Sequence, residues 1–404
     1  MTMAAKSIQQ FLASASAAVR SGLKSTASKI LLVTGNESAD LDSFTSSLIF
    51  AYLTEAHADC SHDKSISYDN IIPLFNIPRE EVSLRPELHY LLARLKIPAS
   101  DIICKDEFLS SIDTSKTDNV DVVLVDHNRL LSDLGDLFGS NVVALLDHHA
   151  DEGSYPSAKP RIIAPVGSCT SLVVNYFADY FRISLDAFSV SDEKKDVARL
   201  ALAPILVDTA NLTSKETKED KDAVATLMRV IKSGTAGTDD NQEEYYTALM
   251  TAKRSIDDFS LRDIIRKDYK EWLEDVGVRV GISSSVKSLA WTVKKFGFDG
   301  LKKGIDMWAK ERKLDAFVFM DSFQDPEDGY RRDLLVAACS EKGNSRVRKF
   351  LDAAKTELKL EPFSEKDGLA IQSNDEVGLW CWKQKNLKAS RKQVAPLIRQ
   401  FMQE

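Results

Sequence analysis

A chain of 404 residues, 44% hydrophobic and 28% charged, is long for one core and reads as two domains. It has no apolar run long enough to span a membrane, and its net charge of −8 excludes broad, non-specific binding to nucleic acid or an anionic surface while leaving room for a local basic pocket. The five cysteines, Cys60, Cys104, Cys169, Cys339 and Cys381, are scattered and lack CxxC spacing, so neither a disulfide framework nor a thiolate zinc site is expected.

The first 36 residues contain no Asp or Glu but include Lys6, Arg20, Lys24 and Lys29 among many Ala and Ser. A mitochondrial transit peptide has that composition; the preferred reading is an amphipathic helix over 8–19 that packs on the first domain. A β-branched and aliphatic run, Ile30–Thr34, then leads into Gly35-Asn36-Glu37-Ser38-Ala39-Asp40-Leu41-Asp42-Ser43, and an apolar stretch over 44–50 follows. The pattern predicts a buried strand, a tight loop opened by glycine, and a helix to about Glu55. Asp40 and Asp42 therefore stand beyond the carboxyl end of a strand, where α/β sheets gather ligands. Carboxylates this close repel unless a cation or a donor lies between them; the plain alternative is helix capping.

His57 and His62 lie in a polar stretch without metal-ligand partners at sensible spacing, and surface positions are expected. Residues 70–74 read as a short strand, and 84–95 as a helix with His89 on a solvated or half-buried face. Two near-copies of one arrangement follow. Val120–Val125 is the continuous apolar strand that parallel sheets bury, and it ends in Asp126-His127-Asn128. About twenty residues on, 141–146 does the same and ends in Asp147-His148-His149. Three of the six histidines thus sit just after strands, each within two residues of an aspartate. Carboxylate and imidazole together form a ligand set for Mg2+, Mn2+ or Zn2+, and with the paired aspartates of the first loop they predict a metal site. Gly167-Ser168-Cys169-Thr170-Ser171 precedes an apolar helix over 172–181, and its backbone donors suit either a bound anion or plain capping. Residues 197–206 form an apolar helix softly broken at Pro204, which delivers Asp208 into a polar loop as a fourth acidic station.

The span 232–244, rich in Gly, Thr and Asp, marks a boundary or surface excursion and gives domains of 1–242 and 243–404. Beyond it the composition turns basic, with Lys253, Arg254, Arg262, Arg266, Lys267 and Lys270 close together. Strands are predicted near 278–282, 316–320 and 330–336, with a helix over 300–313 and a closing helix to Phe401. Lys383, Lys385, Lys388, Arg391 and Lys392 repeat the basic character in the tail. Charge runs are usually solvated faces; an acidic metal-binding domain followed by a basic one is also what a phosphate-rich substrate needs.

GNESADLDS (35–43), VDHN (125–128), DHH (147–149), GSCTSL (167–172) and LVDT (206–209), in this order, resemble the DHH phosphoesterase superfamily. Asp268-Tyr269-Lys270 and SRKQVAP (390–396) resemble its DHHA2-type C-terminal domain, so the resemblance covers nearly the whole chain. The first three motifs are most similar to the eukaryotic cytosolic exopolyphosphatases, with family II inorganic pyrophosphatases and prune-type phosphodiesterases as relatives. The implied fold is α/β: an N-terminal parallel-sheet DHH domain and a smaller C-terminal α/β DHHA2 domain, with the active site in the cleft between them.

Carried over motif by motif, the resemblance implies that Asp40 and Asp126 hold one cation. Asp42, Asp126, His148 and Asp208 would hold the other, with Asp126 bridging the two. His149 would face the substrate phosphate and share the catalytic role with Asp126. Asn36, Lys270, Arg391 and Lys392 would contact substrate, while His127 would orient Asp126 and Asp147 would support from behind. Two departures bear on the substrate. Asn36 stands where pyrophosphatases of this type place a histidine, which favours Mg2+ over softer ions such as Mn2+ or Co2+. Arg129 stands where they place an acidic residue, adding positive charge near the metals. The function implied is an exopolyphosphatase that releases orthophosphate from the end of inorganic polyphosphate. The alternatives are a pyrophosphatase, a phosphohydrolase of short nucleotides or nucleoside polyphosphates, and a catalytically inactive polyphosphate-binding scaffold. A cytoplasmic monomer with no nucleic-acid or membrane partner is expected, the acid-free leader making mitochondria the other address.

Overall fold

The computed structural model describes residues 6–23, 28–60, 67–183, 190–234, 241–364 and 378–404. Lys24, His62 and the middle of the 232–244 span lie outside the described residues. Two compact units divide the chain, Met1–Lys253 and Arg254–Glu404. The sequence placed the division at 242/243, but the helix Gln242–Lys253 buries Tyr245 and Leu249 in the first unit's core. Those two residues are one helical turn apart and share a face, an apolar stripe that the flanking glutamates and lysine disguise.

Six parallel strands form the sheet of the first unit: β1 (Ile30–Thr34), β2 (Asn70–Phe75), β3 (Ile103–Cys104), β4 (Val120–Val125), β5 (Val142–Asp147) and β6 (Arg161–Ile163). Their order is β3-β2-β1-β4-β5-β6. Both faces are covered, as a parallel sheet requires. Leu31 and Val33 of β1 join the core under the helices Leu41–Cys60, Cys169–Tyr176, Asp192–Asp208 and Lys218–Ile231, while Ile30 and Leu32 pack with Phe108, Leu134 and Phe138 on the other face. The opening helix Ile8–Ser21 is part of this fold: Ser7 and Gln10 form a capping box, and Ile8, Phe11, Leu12, Ala15 and Val19 are buried. The single helix expected over 172–181 starts earlier and comes in two pieces, Cys169–Tyr176 and Ala178–Phe181. Pro204 does not break Asp192–Asp208, whose last residue is Asp208 itself.

The second unit has a mixed six-stranded sheet: β7 (Tyr269–Leu273), β8 (Arg279–Ser285), β9 (Ala316–Asp325), β10 (Gly329–Ala338), β11 (Leu360–Glu361) and β12 (Leu379–Gln384), in the order β11-β12-β10-β9-β8-β7. Only β8 and β9 run parallel; the other neighbours are antiparallel. Helices Glu341–Glu357 and Arg391–Met402 cover one face through Phe350 and Ile398, and Leu261–Lys267 and Phe298–Arg312 cover the other through Ile264 and Leu301. Among the described residues, no helix is long and apolar enough to cross a membrane.

Candidate metal centre

The direction of winding in the first sheet reverses between β1 and β4. A doubly wound sheet opens a crevice at such a point, beyond the carboxyl ends of its strands. Three motifs distant in sequence are neighbours there because parallel strands finish at one edge: 35–43 after β1, 126–128 after β4, and 147–149 at the end of β5.

Asp126 leaves β4 in the left-handed region, with φ 62°, which Asp tolerates better than most residues. Its N–H donates to Leu146 O of β5 (3.0 Å) and to the Cys169 sulfur (3.2 Å), and the Cys169 thiol donates to that same carbonyl (3.2 Å). Buried to 2% exposure, the carboxylate takes Asn36 Nδ2 at 2.7 Å and Ser43 Oγ at 2.6 Å on Oδ2. Oδ1 faces His148 Nε2 at 3.1 Å and His149 Nδ1 at 3.8 Å. Burial opposes its charge, yet the His148 contact and the charges of His148 and His149 hold the carboxyl well below the usual carboxylate range.

His148 supplies a test for a cation. Its Nδ1 lies 3.1 Å from Val166 O, a carbonyl that only accepts, so Nδ1 carries the hydrogen. A neutral ring then aims the Nε2 lone pair at Asp126 Oδ1, and two lone pairs 3.1 Å apart need a proton or a metal ion between them. His149 is turned the other way: its Nδ1 hydrogen goes to Asp147 Oδ1 at 2.8 Å, which leaves Nε2 for chemistry. Asp147 also accepts the backbone N–H groups of His148 (2.7 Å) and His149 (3.2 Å) and the Asn128 amide (2.5 Å). Burial works against its charge, and the hydrogen bond and charge of His149 together with the Asn128 amide keep the carboxyl low. Among the described residues, the donor atoms of Asp126, His148 and His149 all lie within 4.8 Å of one another. With His149 Nδ1 committed to Asp147, the pair that fits a divalent ion is Asp126 Oδ1 and His148 Nε2; Asp40, Asp42 and Asp208 are not in this group.

Asp40 and Asp42 both serve helix starts, but different ones. Asp40 caps Leu41–Cys60, its Oδ1 accepting Ser43 N–H at 3.0 Å. Asp42 reaches the start of Cys169–Tyr176 instead. Its Oδ1 accepts from Ser168 Oγ (2.8 Å), Thr170 N (2.9 Å), Thr170 Oγ1 (2.7 Å) and Ser46 Oγ (3.4 Å), and its Oδ2 from Cys169 N (2.7 Å). The donors of the Gly167–Ser171 loop therefore serve a carboxylate of the protein, which removes the bound-anion reading of that loop. From its other side Asp220 takes Gly167 N (2.8 Å), Ser168 N (3.3 Å) and Ser171 Oγ (2.6 Å). Asp208 ends its helix rather than standing in a loop. Burial, and after it the charges of Asp42 and Asp40, push its carboxyl well above the usual range, the behaviour of an acid cluster that a divalent ion would neutralise.

His127 gives its Nδ1 hydrogen to Val125 O at 2.9 Å, and Asn36 and Ser43 orient Asp126 through Oδ2. Arg129 points to Glu152 at 3.7 Å, both more than half exposed, so its charge is met at the surface. Sequence reasoning assigned no role to Ser43, Asn128 and Cys169, although each lies in a quoted motif, and passed over Asp220, whose signal is the capping box Thr217-Lys218-Glu219-Asp220. In the second unit, Lys270 lies on the edge strand β7, and Arg391 opens the last helix. Arg391 binds Asp268 twice, through its backbone carbonyl (3.0 Å) and its carboxylate (2.7 Å), so the two basic motifs meet. Lys392, next in the chain, is exposed.

Gly35 opens the acid loop for a steric reason. A Cβ there would stand 2.6 Å from Ser43 Cβ and 2.9 Å from Ser43 Cα and O, and backbone cannot yield as a flexible side chain can. Gly35→Ala is expected to cost about 1–3 kcal/mol, typical of overpacking, read as a lowered unfolding midpoint. An unchanged midpoint would show that the loop has slack.

The DHH family, N-terminal domain, matches residues 30–205, and the DHHA2 domain matches 247–401. A Schizosaccharomyces pombe protein named "Putative exopolyphosphatase" is 35% identical over 380 residues, 93% of this chain and 91% of that one. The manganese-dependent inorganic pyrophosphatase of Methanocaldococcus jannaschii is 24% identical over 62% of this chain and 69% of its own. The crystal structure of the "Methanococcus jannaschii putative family II inorganic pyrophosphatase" covers 93% of this chain with a TM-score of 0.60 at 19% identity, which shows a shared fold.

Proposed function

Since the chain belongs to the DHH family, carries a DHHA2 domain and is a phosphoanhydride hydrolase, we propose that its substrate is inorganic polyphosphate, shortened from the end by one orthophosphate at a time. Asn36 carries the choice of substrate. The resemblance implies a histidine at that position in the pyrophosphatases, whereas here an amide donates to Asp126 Oδ2. The donors left on the Asp40 side are oxygens, which favour Mg2+.

In this reading Asp42, Asp126, His148 and Asp208 would hold one divalent ion, and Asp40 and Asp126 a second; the Asp126–His148 pair, 3.1 Å apart, supports it. Bound there, the ions supply the Lewis acidity that activates water and neutralises phosphate oxygens in an in-line displacement. The protein's own groups do the rest. Asn36 and Ser43 fix the Asp126 carboxylate in one rotamer. Asp147 fixes the tautomer of His149 and raises its basicity, so that Nε2 can give a proton to the departing phosphate oxygen. Lys270, Arg391 and Lys392 bind the phosphates that do not react, through charge-assisted hydrogen bonds.

Phosphate release from pyrophosphate, tripolyphosphate and long polyphosphate, each in Mg2+, Mn2+ and Co2+, tests the proposal. Faster release from the long chains supports it; pyrophosphate as the best substrate would turn the reading to a pyrophosphatase. Calorimetric binding of polyphosphate without release would indicate a scaffold. Lys270→Ala and Arg391→Ala are each expected to raise KM for long chains by about tenfold, the worth of one hydrogen bond to a charged group, and to raise it less for tripolyphosphate. Equal effects at every length would mean that these residues do not follow an extended chain.

A further inference from the structure

Arg85 is 2% exposed, and the interior accepts such a charge only with partners. Two of its partners lie in the acid loop. Nη2 donates to Ser38 O at 2.7 Å and Nε to Ala39 O at 3.2 Å. Nη1 donates to Glu81 O at 3.0 Å and stands 4.0 Å from the Glu81 carboxylate. Nothing in the sequence singles the residue out, for it lies 46 residues beyond Ala39, just before the helix Pro86–Arg94.

The loop has a reason to need it. Ala39 sits in the left-handed region at φ 44°, a strained place for a residue with a Cβ. It is confined from both sides: its N–H goes to Asn36 O at 3.1 Å, and the next residue, Asp40, accepts Phe44 N–H on its carbonyl at 3.1 Å and Ser43 N–H on its carboxylate at 3.0 Å. The carbonyls of Ser38 and Ala39 belong to the two peptides that flank the reversed residue. A planar guanidinium spans both.

We propose that Arg85 is a positioning residue for the metal centre: by clamping those two carbonyls it holds Ala39 in its reversed conformation and so aims Asp40, and with the helix start Asp42, at the cation. The proposal rests on the hydrolase reading of that centre, but its test needs no turnover. Lysine keeps the charge and loses the fork that spans two acceptors. Glycine at 39 takes up the left-handed conformation without strain, so it should relieve the loop of its need for the clamp.

The experiment is calorimetric titration of Mn2+ into the full chain, its Arg85→Lys and Arg85→Gln variants, and each of these combined with Ala39→Gly, with unfolding midpoints and polyphosphate hydrolysis measured alongside. Each Arg85 variant is expected to weaken Mn2+ binding about tenfold or more, the usual effect of losing a residue that orients a ligand. Adding Ala39→Gly should return most of that affinity even where the midpoint stays low, which a purely structural role would not do. Unchanged affinity in the Arg85 variants, or a double variant no better than the single, overturns the proposal. A variant that folds only when Ala39→Gly is present supports it, and one that folds in neither background overturns it. An unaltered chain that binds Mn2+ and releases no phosphate removes the substrate reading and leaves this comparison intact; one that binds no Mn2+ removes the centre and the proposal together.

Discussion

Asp126→Asn is expected to lower phosphate release by at least about a thousandfold, the several kcal/mol of charge stabilisation that a bound divalent ion contributes, while the chain without metal still folds. The geometry supplies both halves. Asparagine tolerates the left-handed φ of 62° as aspartate does. Its carbonyl can still accept from Asn36 and Ser43, and its amide then faces His148 Nε2, now 3.1 Å from Oδ1, where it donates to the lone pair that otherwise needs a proton or a cation. The variant therefore satisfies the site without metal and removes the charge that attracts one. Unfolding midpoints with and without Mn2+ check this together with a phosphate assay: the unaltered chain should be stabilised by the ion and the variant should not. Activity within tenfold of the unaltered chain would deny Asp126 its central place.

His149→Gln is expected to reduce kcat by about 10²–10⁴, the range for a positioned general acid, with KM nearly unchanged. Glutamine can occupy the space and donate a hydrogen bond, yet it cannot deliver a proton. Asp147→Asn should move kcat in the same direction by a smaller factor of about 10–100, because Asp147 acts through the ring it holds at 2.8 Å. The pair separates proton transfer from phosphate binding. If His149→Gln raised KM with kcat intact, the imidazole would be a substrate contact, and the proton would have to come from elsewhere.

Much of the centre is local enough to be legible in one dimension. An apolar strand followed at once by Asp-His needs no tertiary information to be suspected, and 120–128 and 141–149 repeat it. The capping of a helix by Asp40 is equally local, since Ser43 lies three residues on. What escaped were groups whose partners are far away. Asp42 finds Ser168, Cys169 and Thr170 across more than a hundred residues, so nothing near it distinguishes a cation ligand from a helix cap. The helix Gln242–Lys253 hid its two buried residues among charges, and the predicted boundary fell on the wrong side of it.

From the linear chain alone came the class of fold, the family it resembles and the residue types of the centre, because strand period, turn chemistry and ligand chemistry all act within a few residues. The tertiary structure decided how each carboxylate is used. Asp126 presents Oδ1 and has Oδ2 filled by Asn36 and Ser43, Asp42 is held by a second helix, and Arg85 is drawn to a loop 46 residues away. A carboxylate has two oxygens and a small number of lone pairs, and which of them remain for a ligand depends on donors that only folding brings alongside.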